Sequence, residues 1–223
     1  MKCAIFDMDG VLVDSHPIHM RAWKRLLKSR EKAVTEKDLE FIFEGRKKEE
    51  ILRHLFGDLS QESLQVLGRR KEKFFQEESA GISTIPGLRQ FLDQLHADKF
   101  PMAVASCGGG GRVNHLLNML QLRHYFSVVV TGDDVKEGKP DPAIFLRAAD
   151  LLSVEPNNSL VFEDSVSGVQ AAVTAGMRCI GITDPARAGT LNDAGADQVF
   201  HNFLSLNWSH LRKTMDTTSP YSH

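Results

Sequence analysis

The 223-residue sequence predicts an α/β protein. A parallel sheet carries helices on both faces and is interrupted, just after its first strand, by a four-helix insertion. Three observations lead there. Residues 1–14 read as strand and turn. Residues from about 15 to 81 show helical periodicity and helix stops with no convincing strand. After Gly81, short apolar strands alternate with helix-length segments. Parallel strands need a long crossover between them, usually a helix, so this alternation is the signature of such a sheet.

In chain order, "IF" before Asp7 ends the first strand, and Gly10 supplies the turn. Ser15 or His16 caps the first inserted helix, with Pro17 in its first turn and Met20, Trp23 and Leu27 along one face. Thr35 opens the second, which turns Leu39, Ile42 and Phe43 inward and stops near Gly45. The third runs from about Lys47 to Phe56 and stops at Gly57; Ser60 starts a fourth with Leu64, Leu67 and Phe74 in register. The later strands are "MAVAS" (102–106), "SVVVTG" (127–132), "SLVFED" (159–164) and "RCIGIT" (178–183). The domains are thus 1–15 with 82–214 as the core, 16–81 as the helical insertion, and 215–223 as a loose polar tail. The crossings near Asp14–Pro17 and Ser79–Ser83 are candidate hinges.

Composition narrows the partners. Net charge is −2, with no face-long run of Lys and Arg, so nucleic acid and membrane surfaces are not expected partners. No apolar run approaches the length of a membrane span, and the N-terminus lacks the layout of a signal peptide. Three widely spaced cysteines, Cys3, Cys107 and Cys179, suit reduced thiols in a cytoplasmic protein better than a disulfide framework. The expected assembly is a monomer.

In open parallel sheets, ligands bind beyond the carboxyl ends of the strands. The first strand ends in Asp7-Met8-Asp9-Gly10, the second in Ser106-Cys107, the fourth in Glu163-Asp164-Ser165, and "EGKPDPAIF" brings Lys139 to the same rim. Two aspartates this close repel, and each raises the other's pKa unless a cation sits with them. Carboxylates clustered without histidine or thiol select a hard cation such as Mg2+. Lys139 and the Ser106 hydroxyl would hold an anion opposite it, and phosphate is the obvious one. In that reading Asp7 is a nucleophile balanced by metal and lysine, and Asp9 gives and takes a proton at the leaving oxygen. An isolated D-x-D-G is more often a turn, and Ser106 alone more often a helix cap. The weight lies in several such features at successive strand ends. "CGGGG" (107–111) could cradle phosphate through backbone N–H groups or be a flexible turn.

"DMDGVLVDS", Ser106, "GKPDPAIF" and "FEDSVSGVQAAVTAGM" resemble the four motifs of the haloacid dehalogenase superfamily, in order and over nearly the whole chain. The insertion resembles the small helical cap of its beta-phosphoglucomutase-like branch. The resemblance implies a Rossmann-like core and the roles argued above for Asp7, Asp9, Ser106 and Lys139. It further implies Mg2+ held by the Asp7 carboxylate, the Asp9 backbone carbonyl and Asp164, with Glu163 as a ligand or just behind one.

Within the cap, periodicity puts Lys71 and His19 on apolar faces. By themselves they read as a snorkelling stem and a satisfied interior histidine. The branch resemblance implies instead that His19 reaches the acid/base, that Lys71 contacts substrate, and that Lys48 stands where the mutase pattern has a phosphate-binding arginine, with Arg46 close by. It also shows Gly108 and Gly109 where that pattern has Ser and Lys for a second phosphate, although Arg112 and the glycine N–H groups could rebuild that site. The expected function is a Mg2+-dependent phosphatase of small sugar or polyol phosphates. A beta-phosphoglucomutase is the alternative, and a non-catalytic phosphate sensor a more distant one.

Overall fold

The computed structural model of the chain describes residues 1–33 and 35–217. Strand β1 (Cys3–Phe6) is followed by α1 (His16–Lys28), α2 (Glu36–Ile42), α3 (Lys48–Phe56) and α4 (Gln61–Glu78). The alternating part then runs α5 (Leu88–Ala97), β2 (Met102–Ser106), α6 (Gly110–Met119), β3 (Val128–Thr131), α7 (Ala143–Leu151), β4 (Ser159–Glu163), α8 (Val166–Thr174), β5 (Arg178–Ile182), α9 (Ala188–Asp193), β6 (Gln198–Phe200) and α10 (Trp208–Thr217). The sheet is parallel, with strand order β3-β2-β1-β4-β5-β6.

Side chains alternate across the sheet with period two, so each strand feeds two cores. Ala4 and Phe6 face a cluster with Phe91, Phe162, Phe203 and Trp208, in which the Phe6 and Phe162 rings stack 4.6 Å apart. Cys3 and Ile5 face the opposite cluster, with Ile144, Phe145, Val161 and Val169. β1 has neighbours on both edges, and Phe6 lies level with Val104 of β2 and Phe162 of β4. That register carries Asp7, Ser106 and Glu163 to one rim.

β6 was not among the strands expected from sequence. It is three residues long and lies on the sheet edge with Gln198 exposed, too short to register as an apolar run. Residues 215–217, assigned to the tail on sequence, are the last of α10, and 218–223 lie outside the described residues.

The insertion has its own core of Trp23, Leu26, Leu27, Ile51, Leu52, Leu55, Leu64 and Leu67. Its inward stripe on α4 is Leu64, Leu67, Gly68, Lys71 and Phe75, so Phe75 rather than Phe74 is the fully buried ring. Thr35 makes the expected cap with a reciprocal bond to Asp38, and Ser60 caps α4. Ser15 makes no such bond, because its hydroxyl is used elsewhere. Ile18, Ala22 and Phe75 continue into the core beside Phe6, so α1 and α4 root the insertion in the sheet's own cluster. The two crossings hold each other: the Asp14 N–H donates to the Ser83 carbonyl at 2.9 Å, and Val13 bridges Thr84.

All three cysteines are free thiols. Among the described residues no helix is long and apolar enough to cross a membrane.

Candidate active site

Asp7 follows β1 directly, and its N–H donates to the Phe162 carbonyl of β4 at 3.0 Å, which extends the ladder by one residue and fixes the carboxylate at the rim. Lys139 is fully buried. Its Nζ donates to Asp7 Oδ1 and, at 2.5 Å, to Glu163 Oε1. Glu163 Oε2 accepts from the N–H groups of Asp164 (2.5 Å) and Ser165 (2.7 Å), so both its oxygens are engaged. That makes Glu163 the anchor of Lys139 and of the turn into α8.

Asp7, Glu163 and Asp164 each bring a carboxylate oxygen within 4.8 Å of the others, all buried. Burial raises the Asp7 carboxyl well above its usual range, and Glu163, Asp164 and Asp9 add to this against the pull of Lys139. Burial raises Glu163 as well. Burial alone would lower Lys139, but Asp7 and Glu163 hold it well above normal. The ammonium bonds two of the three carboxylates, and the oxygen-only donor set suits a hard cation. Asp164 Oδ2 also pairs with His16 Nε2 at 3.1 Å. Burial would lower that imidazole, but the Asp164 charge outweighs it and raises the pKa to about 9. Gly10 lets the chain turn here. Its φ is +80°, and a Cβ would lie 2.2 Å from Asp164 Oδ2.

Asp9 points away from this cluster, toward the insertion. It accepts from Arg112 through both terminal nitrogens (2.8 and 2.7 Å), from Ser15 Oγ (2.6 Å) and from His19 Nε2 (3.1 Å). Burial would raise its carboxyl, but Arg112 and then His19 hold it well below the usual range. The expectation of Asp9 as a metal residue concerned its backbone carbonyl; the carboxylate itself is committed to these donors.

His19 takes its tautomer from Lys71, whose Nζ lies 2.8 Å from Nδ1. With Nδ1 accepting, Nε2 carries the proton and donates to Asp9. The 3.3 Å approach of Arg112 to the same Nε2 therefore sets two donors side by side, both aimed at Asp9. Burial and the Lys71 charge lower His19 to about 3. Lys71 is 3% exposed, with its ammonium over the Trp23 and Phe75 rings, and burial followed by the Arg112 charge lowers it to about 7. A snorkelling stem is ruled out by that burial.

Asp7, Asp9, His19, Lys48, Lys71, Ser106, Cys107 and Asp164 line one cavity of about 90 Å3, with Arg46, Glu72 and Arg112 in its wall. Lys139 lies beneath its floor on Asp7. Ser106 is buried, with its Oγ accepting from the Gly108 N–H at 3.2 Å, and Cys107 is half-buried beside it. The Lys48 stem lies against Gly68, while Arg46 is paired with Glu44 and Glu50 and covers the Phe41 ring. Lys47 Nζ donates to the Val135 carbonyl at 2.9 Å and Ser167 Oγ to the Glu44 carbonyl, which seats the insertion on the rim.

Nothing in the sequence marks His16, Ser15 or Glu72 as site residues, and the glycine-loop pattern suggests Arg112 only for a distal phosphate. In the structure Arg112 is turned onto Asp9, and the space it uses is what Gly108 leaves. A Cβ at Gly108 would lie 2.2 Å from the Arg112 guanidinium.

The family profile described as "Haloacid dehalogenase-like hydrolase" matches residues 4–182, from β1 to the end of β5. The chain belongs to the haloacid dehalogenase-like hydrolase family. It is 37% identical over 203 residues to the phosphorylated carbohydrates phosphatase of Thermotoga maritima, covering 88% of this chain and 92% of that protein. It is 30% identical over 191 residues to the beta-phosphoglucomutase of Bacillus subtilis, covering 82% and 83%. A solved haloacid dehalogenase hydrolase from Entamoeba histolytica superposes with a TM-score of 0.86 at 24% identity, over 97% of this chain and all of that one, which bears on the fold.

Within this family, then, the chain resembles both a phosphatase and a mutase over most of its length.

Proposed function

We propose that this family member hydrolyses small sugar or polyol phosphates through a phosphorylated Asp7. The observation that carries the reading is the Asp7 carboxylate, buried at the end of the central strand against Lys139, with Asp9 two residues on and turned toward the cap. Asp7 attacks phosphorus, and an Asp7 Oδ–P bond forms as the ester O–P bond breaks. Asp9 delivers a proton to the departing oxygen. In the second half Asp9 takes a proton from water, whose oxygen displaces Asp7 from phosphorus and releases inorganic phosphate. Lys139 stays charged beside Asp7 and offsets negative charge gathering on the phosphoryl oxygens, while Ser106 lines the same cavity.

The donor set fits Mg2+, with the Asp7 and Asp164 carboxylates and the Asp9 carbonyl as the groups that would hold it. When bound, it would screen the charge of the phosphoryl group against these carboxylates. Asp9 here is an acceptor on four hydrogen bonds, the form that takes a proton from water. To act as the acid it must first be released by Arg112, so substrate entry has to draw that guanidinium aside.

Hydrolysis is favoured over mutation because a mutase must grip both ends of a bisphosphate. Gly108 and Gly109 carry no side chain for the second phosphate. The test is to incubate the protein with Mg2+ and hexose, pentose and polyol phosphates, then score free phosphate and isomerised product. Phosphate release, with beryllium fluoride trapped on Asp7, is the expected result. Rapid conversion of beta-glucose 1-phosphate to glucose 6-phosphate with negligible phosphate release would promote the mutase.

A further inference from the structure

Asp164 belongs to the core, but the side chain that bonds its carboxylate comes from the insertion. His16 is the first residue of α1, and its Nε2 lies 3.1 Å from Asp164 Oδ2. Among the described residues no other side chain bonds that carboxylate, and Oδ1 accepts no hydrogen bond. The imidazole is itself held. The Phe43 ring of the insertion lies 5.0 Å from it, and its Cε1 stands against Gly10, where a Cβ would be 2.9 Å away. The same Cβ would meet Asp164 Oδ2 at 2.2 Å, so the ring and the carboxylate oxygen share the space that Gly10 leaves.

Asp164 has two places to go. His16 and Asp164 both line the active cavity, with Asp7, and both line a second cavity of about 350 Å3 bounded by Thr183, Arg187 and Asn202. The pair stands between the two spaces. Arg187, which makes no ion pair among the described residues, offers the carboxylate an opposite charge on the far side. A carboxylate free to turn toward it would hold a cation poorly, and Mg2+ demands near-ideal octahedral geometry. The bond from His16 engages Oδ2 and leaves Oδ1 as the free oxygen. Hydrogen bonds of this kind, from a group outside the ligand set, orient ligating carboxylates.

We propose that His16 is a positioning residue for Asp164, so that the metal site of the core is completed by a residue of the insertion. The inference rests on the Mg2+ site of the phosphatase reading above. A side chain that merely neutralised Asp164 would have the opposite effect, because it would compete with the cation for the carboxylate.

The test is calorimetric titration of Mg2+ and of Ca2+ into the metal-free protein, with thermal melts of each variant alongside. His16→Ala is expected to weaken Mg2+ binding by roughly 10–100-fold, the usual cost of losing such an outer partner. Ca2+ accepts a more flexible geometry and should lose no more than about threefold. In His16→Gln the amide nitrogen stands about where Nε2 does, so Mg2+ binding should stay within about threefold of wild type; in His16→Asn it stands about where Nδ1 does, and the loss should match that of alanine. Should the alanine variant fail to fold, the glutamine and asparagine variants carry the comparison. Mg2+ bound as tightly as in wild type, or more tightly, by His16→Ala or His16→Asn would overturn the positioning role and leave the phosphatase standing. Equal losses for Mg2+ and Ca2+, or a His16→Gln protein no better than His16→Asn, would do the same. Failure of the wild-type protein to bind Mg2+ would remove the metal site and this inference with it.

Discussion

Gly168 is the second residue after Val166 at the start of α8, and replacing it with alanine sets two effects against each other. Helix propensity alone favours alanine by about 1 kcal/mol at such a position. The site opposes it, because a Cβ at Gly168 would lie 2.0 Å from the Glu163 carboxyl carbon. Glu163 has nowhere to retreat: Oε1 holds Lys139, and Oε2 holds the N–H groups of Asp164 and Ser165. Relief requires Glu163 to let go of Lys139, and breaking a buried pair of this kind costs about 3–5 kcal/mol. The net loss is then about 2–4 kcal/mol, which for a chain of this size lowers Tm by roughly 4–16 °C. Turnover should fall as well, by about 10²-fold, because Lys139 loses one of the two carboxylates that aim it at the reacting phosphoryl group. Gly189 in α9 is the control: a Cβ there meets nothing within 4 Å, so Gly189→Ala should be neutral or slightly stabilising. Thermal melts and phosphate-release rates on the two variants make the comparison. A Gly168→Ala protein with wild-type or higher Tm and full turnover would refute the argument that Glu163 is pinned.

Asp9→Asn should reduce hydrolysis of an alkyl phosphate by orders of magnitude, and that of an aryl phosphate much less, because the aryl leaving oxygen needs no proton; steady-state rates on both esters check this. Asp164→Asn should abolish the rise in Tm that Mg2+ produces in the wild-type protein, since a ligand that binds only the folded state stabilises it by mass action. Lys71 has a folded pKa of about 7, below its unfolded value, so the folded state loses its proton first. Its contribution to stability therefore grows as pH rises above about 7 toward the unfolded lysine pKa, and burying the charged form costs stability at lower pH. Urea unfolding at pH 6 and pH 9 should show Lys71→Met most favourable relative to wild type at pH 6, with the gap narrowing at pH 9.

The sheet and the floor of the site were legible in the chain because their signals are local. An apolar strand ending in Asp7-Met8-Asp9-Gly10 needs no knowledge of the rest to read as a strand and turn, and the same holds at Ser106, Lys139 and Glu163-Asp164. The one rule that ligands gather at the carboxyl ends of parallel strands brought those fragments together. β6 escaped because three partly exposed residues carry too little pattern. The wall opposite the floor was decided by tertiary structure alone. Arg112, on α6 of the core, reaches Asp9 across 103 positions, and Lys71 reaches His19 across 52 within an insertion whose helix faces show up as periodicity but whose rotation does not. Charge partnership follows from distance in space, and sequence spacing says nothing of distance once a helical insertion folds back over the rim. So the pairing that commits Asp9 to Arg112, the space Gly108 leaves for it, and the approach of Glu72 to the same guanidinium came from packing, where a few ångströms decide which donors an acceptor meets.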